Sequence, residues 1–346
     1  MDANHWHRLA WQDRAPLAAP SSALQSRDGQ ERDQAIAGLA ESLGSMVLPY
    51  PPAISLGSAL TRLVDGNRFS PPGSKSIAGV SAPFATGKST SVTEWAFGRY
   101  REWVADVSNR SFPTWQPEQG ITARLIPVVY LSLFSSAGVK ELNAQILTFL
   151  GYPGEGIARV TSARVNTALR RHGVRLLIVD DVHMLRLTER SGRQVLDYLK
   201  TLNSELGFLH GTMIFVGPDL AAAPIFEDPQ IRSRLRIHDL TPPEIASVEG
   251  RRRWQAFLCG CEEILLPYLP GAQEGVLSRQ HAGFIWHRTQ GFIGDTSALL
   301  IGAVIEALRC GRRTITHQDL AAVPLSARAH DQQASLEHRR GRTRAS

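Results

Sequence analysis

Short apolar runs alternate with longer amphipathic stretches from about residue 76 onward. The apolar runs, which predict β-strands, are residues 77–81, 125–131, 175–179, 213–216 and 236–240. The stretches that predict helices have apolar residues near helical spacing and include residues 88–104, 139–150, 158–171 and 194–206. Strands that alternate with helices in this way predict an α/β fold, in which a mostly parallel sheet is covered by helices on both faces.

The same pattern divides the chain into four predicted parts. Residues 1–75 mix short helical patterns with turn-rich breaks and predict an N-terminal extension, and residues 76–242 form the α/β core. No convincing strand follows Pro242, so residues 243–325 predict a small C-terminal helical lid. Residues 326–346 are polar and end in HRRGRTRAS, which predicts a disordered basic tail.

Composition narrows the class of protein. A chain of 346 residues that is 43% hydrophobic and 20% charged has ordinary globular composition and room for one large or two modest domains. No apolar run approaches the roughly 18 to 20 residues that span a bilayer, and the start lacks the apolar core of a secretory signal. We therefore expect a cytoplasmic protein with no membrane partner.

Cysteine content and charge add two further expectations. The three cysteines form neither a disulfide framework nor a four-ligand zinc site; they are Cys259, Cys261 and Cys310. The formal net charge of +6 favours attraction to a polyanion, which makes nucleic acid a candidate partner.

A phosphate-binding loop follows the first predicted strand and opens a helix. It comprises Ala82, Pro83, Phe84, Ala85, Thr86, Gly87, Lys88, Ser89 and Thr90. Unpaired N–H groups at a helix start attract phosphate, Lys88 can reach the outer phosphates and Ser89 can hold Mg²⁺. Ala82 stands where the usual first glycine would be, so the turn must adopt a conformation that accepts a Cβ. The motif predicts ATP and Mg²⁺; the alternative is that G-K-S opens a helix by chance.

A second motif lies about ninety residues downstream, where a buried strand ends in two carboxylates. Parallel strands deliver their carboxyl ends to the same edge of a sheet, so Asp180 is expected beside the Mg²⁺ held by Ser89. Asp181 then stands where a water-activating base belongs, although it is one methylene shorter than glutamate. This Walker B pattern predicts slow ATP hydrolysis; the alternative is an Asp-Asp turn that caps a helix.

With these motifs in place, the chain resembles the TniB/TnsC family of AAA+ regulators of DNA transposition over most of residues 30–325. The likeness is carried by the segments LPYPP (48–52), IPVV (126–129), QILTFLGYP (145–153), VDDVH (179–183) and VGPD (216–219). The resemblance implies an AAA+ P-loop NTPase that forms a homo-oligomer, as a ring or a helical filament, on double-stranded DNA. It also implies partners, namely a transposase that the assembly recruits or activates and a target-selection protein.

The same resemblance implies further site residues, with two departures. Pro218 and Asp219 stand where the sensor-1 polar residue belongs, and Ser297 stands where many relatives have a sensor-2 arginine. Arg234 matches the box that supplies an arginine finger to the neighbouring subunit, with Arg232 as the alternate. The alternative is that both are solvated surface arginines.

Two loops are candidate DNA contacts. One contains Ser135, Ser136 and Lys140 and opens a helix, so its small hydroxyls and lysine suit phosphate. The other follows Walker B and contributes Thr188, Arg190 and Arg193, in a position where such ATPases often line a central channel. Each can equally be an ordinary solvated loop.

Two other functions remain open. One is an ATP-binding DNA scaffold or switch with negligible turnover, which Asp181 and the weak sensors favour. The other is an AAA+ ATPase of replication or defence that has no link to transposition.

Overall fold

We describe the fold from a computed structural model of the chain. The described residues are 1–12, 24, 29–105, 112–134, 138–185, 189–223, 226 and 228–345. The strands are β1 (Ile77–Ser81), β2 (Thr114–Glu118), β3 (Ile121–Arg124), β4 (Val128–Ser132), β5 (Leu176–Asp180), β6 (Thr212–Gly217) and β7 (Leu235–Asp239). The helices are α1 (Ala3–Ala10), α2 (Gly29–Gly44), α3 (Pro51–Phe69), α4 (Lys88–Trp103), α5 (Val139–Phe149), α6 (Ala158–Arg171), α7 (Glu189–Phe208), α8 (Pro229–Arg234), α9 (Val248–Leu265), α10 (Ala282–Thr289), α11 (Ile293–Arg309), α12 (His317–Ala322) and α13 (Ala327–Ala345).

The five predicted strands are present and form one parallel sheet in the order β4-β5-β6-β1-β7. Every residue of β1, β5 and β6 is buried, as expected for the middle strands of a sheet covered on both faces. This confirms the predicted α/β class. Since all pairs are parallel, the residues that follow each strand emerge at one edge, where the candidate site lies.

The sequence pattern missed an antiparallel hairpin of β2 and β3. Thr114–Glu118 alternates exposed and half-buried residues, contains a proline and has little apolar content, so it gives no signal like that of the buried strands. The turn uses Gly120 at φ 80, a conformation that glycine adopts at little cost.

The described chain forms two compact units. The first comprises Met1–Gln12, Ser55–Phe84 and Lys88–Leu240, and the second comprises Asp13–Ile54, Ala85–Gly87 and Thr241–Ser346. The predicted N-terminal extension over residues 1–75 is thus divided between the units. Helix α1 packs against α4 in the first unit, and α2 packs against α11 in the second. Among the described residues, no helix is long and apolar enough to cross a membrane.

The described residues from 243 to 345 contain helices and no strand, which agrees with the C-terminal helical region of the predicted fold class, but the end of the chain differs from the predicted disordered tail. Residues Ala327–Ala345 form helix α13, which packs against α10. Arg328 secures its start: the guanidinium lies 3.7 Å above the Phe292 ring, donates to Asp295 and also donates to the carbonyl oxygen of Thr289. Composition alone predicts disorder, because composition carries no information on the ion pair between Arg328 and the buried Asp295 carboxylate.

Candidate functional site

The phosphate-binding loop joins the buried end of β1 to α4. Ala82 is buried, its N–H donates to the Gly217 carbonyl oxygen at 3.3 Å, and its φ is not positive. Its Cβ is therefore accepted, as the sequence argument required. The left-handed positions are Gly87, at φ 74, and Ala85, at φ 64. Alanine there costs about 1–2 kcal/mol, so the rest of the loop must hold Ala85 in place.

Lys88 begins α4 and directs its ammonium group toward an aromatic ring. Nζ lies 4.8 Å from the centroid of the Phe84 ring, which is 64% exposed. Within the described part of the chain, Lys88 forms no ion pair with a carboxylate. A cation–π contact at an exposed ring contributes only about 0.5–1 kcal/mol, so the charge can be redirected to phosphate oxygens.

The other loop residues lie around this helix start. Thr86 is buried, Ser89 is half-buried in the first turn of α4, and Pro83 and Thr90 are exposed. The Phe84 ring also meets the His183 ring edge-on, with 6.2 Å between centroids. Because His183 follows Asp181 by two residues, this contact brings the phosphate-binding loop beside the Walker B segment.

Asp180 ends β5 and is almost completely buried. The Tyr130 hydroxyl donates to its Oδ2 at 2.6 Å, and the Asp181 N–H donates to its Oδ1 at 2.8 Å. Burial, followed by the charge of Asp180, raises the pKa of the Tyr130 hydroxyl far above its ordinary value. Tyr130 therefore stays protonated and can only donate to this carboxylate.

Asp181 is half-buried and has a left-handed backbone, with φ 55 and ψ 38. Its Oδ2 accepts a hydrogen bond from the Ser132 hydroxyl at 3.1 Å. Ser132 ends β4 and pairs in register with Asp180, so neighbouring strands place the hydroxyl beside the carboxylate. The side chain expected to activate water is thus held by a serine in this conformation.

The donor set fits Mg²⁺. A serine hydroxyl and an aspartate carboxylate are oxygen ligands, and Mg²⁺ commonly takes one or two protein carboxylates together with substrate phosphates and water. Across the described ranges, no group of three or more His, Cys, Asp or Glu residues is arranged to hold a metal. Ser89 and Asp180 supply oxygen ligands of the kind that Mg²⁺ takes together with substrate phosphates.

The candidate sensor positions differ from each other in exposure. Asp219 follows β6 with φ 44 and is exposed. Ser297 is half-buried in the first turns of α11. Within the second unit, the Gly294 N–H of α11 donates to the Ala85 carbonyl oxygen at 3.3 Å.

The candidate arginine fingers lie on α8, which is capped by Asp228. Arg232 is exposed, and Arg234 is half-buried with Nη1 3.4 Å from the Gln230 carbonyl oxygen. Asp228 pairs instead with Lys200 at 2.7 Å, and this hydrogen bond raises the pKa of Lys200. Among the ion pairs of the described residues, Asp228 therefore pairs with a residue of α7 and not with Arg232 or Arg234.

The candidate DNA residues fall only partly within the described chain. Lys140 is exposed in the first turn of α5, whose start is closed by the Glu141 side chain accepting from the Gly138 N–H at 3.0 Å. Arg193 is exposed on α7, and Arg190 lies on the same helix. Ser135, Ser136 and Thr188 lie outside the described residues.

Sequence reasoning missed two residues of the site, Tyr130 and Ser132. Both lie on β4, and only the pairing of β4 with β5 brings them to the two aspartates. Alternation within the strand gives a weak signal, because two polar groups interrupt an otherwise apolar run near its carboxyl end.

The centre of the chain is similar to a known protein family. Residues 106–244 match the model of a family described as "TniB: Bacterial TniB protein". This segment is similar to the TniB family. This segment covers less than half of the chain, from the region before β2 to beyond β7; it includes Asp180, Asp181, Lys140 and Arg234 but not the phosphate-binding loop. No curated protein matches the sequence.

Solved structures of three other proteins share the fold. The ORC2 protein of Aeropyrum pernix, in ADPNP-ADP complexes, is 16% identical with a TM-score of 0.52, and the match covers 78% of this chain and 67% of that one. Cdc6p from Pyrobaculum aerophilum is 14% identical at TM-score 0.53, covering 87% and 69%. ORC1 of A. pernix in complex with DNA is 16% identical at 0.53, covering 80% and 65%.

At these identities the likeness shows the fold alone. The chain has the AAA+ P-loop NTPase fold with a C-terminal helical region, and it spans about two thirds of the length of these proteins. The predicted fold class is confirmed.

Proposed function

We propose that this protein binds ATP with Mg²⁺ and hydrolyses it slowly as a DNA-associated AAA+ ATPase. The observation that carries the proposal is the contact between Phe84 and His183, which joins a phosphate-binding loop to a buried Walker B carboxylate. The solved ORC2 structure with the same fold contains ADPNP and ADP, which supports a nucleotide ligand here.

Each polar residue has a role in this proposal. The N–H groups at the start of α4 and the Lys88 ammonium bind phosphate oxygens. Bound Mg²⁺ would neutralise charge on the phosphates, with Ser89 and Asp180 as its protein ligands. Asp181 orients and deprotonates the attacking water. Since Ser132 holds Asp181, release of this hydrogen bond is a step that can limit turnover.

Hydrolysis is proposed to depend on assembly. Arg234, with Arg232 as the alternate, would extend from one subunit to the γ-phosphate bound by the next and stabilise the charge of the transition state. The pairing of Asp228 with Lys200 supports this, since it leaves the guanidinium groups of α8 without that carboxylate. The assembly would be a homo-oligomer, as a ring or a helical filament.

We propose that this assembly forms on double-stranded DNA. The segment similar to the TniB family includes Lys140 and Arg193, and the solved ORC1 structure with the same fold is in complex with DNA. We propose contacts from Lys140, Ser135, Ser136, Thr188, Arg190 and Arg193.

The oligomer would recruit or activate a transposase at the target, with a target-selection protein as a further partner. Electron microscopy with ATP and duplex DNA tests this, because subunits that stay dispersed contradict it.

For DNA binding we expect Lys140→Ala to weaken affinity similarly for unrelated duplexes. A lysine at a helix start neutralises phosphate and reads no base, so its loss removes sequence-independent affinity. The slope of log affinity against log salt should flatten by about 0.9 for each subunit bound. Filter binding at several salt concentrations measures both effects.

The matched control is Arg253→Ala. It also removes one positive charge, but the side chain that it removes is paired with Glu249. It should leave the slope unchanged. If Lys140→Ala has the wild-type slope and affinity, Lys140 does not contact DNA, and Arg193 becomes the next residue to test.

A second function is favoured by one observation. Asp181 accepts from Ser132, as expected for an ATP-binding switch or scaffold that assembles on DNA and hardly turns over. Single-turnover measurement of γ-phosphate release in the assembled state separates the two. A protein that binds ATP and DNA yet releases no phosphate over hours is the switch.

A further inference from the structure

The carboxylate of Asp180 is fixed at both of its oxygens. It is 1% exposed, and Oδ2 accepts from the Tyr130 hydroxyl while Oδ1 accepts from the Asp181 N–H. An ionised carboxylate has about four acceptor directions, so roughly two remain after these bonds. Rotation of the group would break one bond or the other. Its remaining lone pairs therefore point in a fixed direction.

The Tyr130 hydroxyl reaches Asp180 from the neighbouring strand. Tyr130 pairs in register with Ile178, two residues before Asp180, so both side chains lie on the same face of the sheet. The hydrogen bond from the Tyr130 hydroxyl to Asp180 Oδ2, at 2.6 Å, therefore joins two neighbouring strands on one face of the sheet.

The ring of Tyr130 is held by the first helix of the chain. Trp6 stacks on it, with 5.6 Å between ring centroids and 23° between planes, and Trp6 is 1% exposed. Trp6 also contacts Phe97 of α4, at 4.6 Å, and Phe149 of α5, at 6.4 Å. These contacts fix the Trp6 ring, and its stacking on Tyr130 restricts the movement of the Tyr130 ring away from Asp180.

From these contacts we infer that Tyr130 is a positioning residue for magnesium, holding the Asp180 carboxylate in the orientation that the metal ion requires, with Trp6 of α1 as its support. The inference rests on the proposed nucleotide site. Hydrogen bonds to metal-binding carboxylates orient the ligand, and their removal typically lowers metal affinity about 10- to 100-fold.

The test is Tyr130→Phe, which keeps the ring stacked on Trp6 and removes only the hydroxyl. Binding of a fluorescent ATP analogue is measured in EDTA and across a series of free Mg²⁺ concentrations. We expect the half-saturating Mg²⁺ concentration to rise about tenfold, while affinity in EDTA stays at the wild-type value.

The matched control is Tyr100→Phe. Tyr100 is also buried on the first unit, and its hydroxyl hydrogen-bonds to a residue of α1, His7 Nδ1, at 2.8 Å, but it does not contact Asp180. It should lose a similar amount of stability and keep the wild-type Mg²⁺ dependence. A general loosening of α1 would shift both variants together and would overturn the inference.

A double-mutant cycle with Asp180→Asn shows whether Tyr130 acts through the carboxylate. In that background, Tyr130→Phe should not raise the half-saturating Mg²⁺ concentration further. An independent tenfold increase overturns the inference, as does a wild-type Mg²⁺ dependence of Tyr130→Phe alone. If the wild-type protein binds no nucleotide with or without Mg²⁺, the proposed function fails as well.

Discussion

Lys88→Ala is expected to weaken ATP binding strongly, with affinity falling about 10- to 150-fold. The ammonium group forms no ion pair with a carboxylate of the described residues, so its charge is available to the outer phosphates. Hydrogen bonds to charged groups contribute about 1.5–3 kcal/mol, and the larger figure is a factor of about 150 in affinity. Titration calorimetry with ATP measures this directly.

The fold should tolerate this change. Alanine is a good helix former at the start of α4, and because Lys88 is 7% exposed, denaturant unfolding of the variant and of wild type measures what the loss of its packing costs. Lys200→Ala serves as the control, because it removes a lysine whose partners are Asp197 and Asp228 on the first unit. Equal ATP affinity of Lys88→Ala and wild type would show that the loop does not bind phosphate.

Asp181→Asn is expected to keep ATP binding and to lose hydrolysis, with the rate falling about 10²- to 10⁴-fold. Asparagine is isosteric and its carbonyl oxygen can still accept from Ser132, so the local geometry should persist. Only the ability to take a proton from water is lost. The ATP-bound assembly should therefore last longer, which phosphate release and light scattering measure together.

Two further variants make this result specific. Ser132→Ala keeps the carboxylate and removes its donor, so hydrolysis should continue. Subunits of Arg234→Ala mixed with subunits of Asp181→Asn should recover part of the rate, because one supplies the base and the other the arginine at a shared interface. Hydrolysis by Asp181→Asn at the wild-type rate would remove Asp181 as the base.

The sequence alone determined the central sheet and the chemical motifs. Strands that are buried on both faces consist of contiguous apolar residues, so the sequence pattern predicts β1, β5 and β6. The phosphate-binding loop and the two aspartates were found because their chemistry fixes residue types at short spacing. The hairpin of β2 and β3 gave no such signal, since its residues are largely exposed.

Only the tertiary structure decided which groups hold the two aspartates. Tyr130 and Ser132 are some fifty residues from Asp180 and Asp181, and the pairing of β4 with β5 brings them together. The position of Trp6 against Tyr130 and the ordering of α13 by Arg328 depend likewise on distant contacts. Apolar periodicity and local motifs in the sequence predict which residues are buried and where elements begin and end. Strand register and side-chain packing depend on contacts between segments that are distant in the sequence, so the sequence pattern does not predict them.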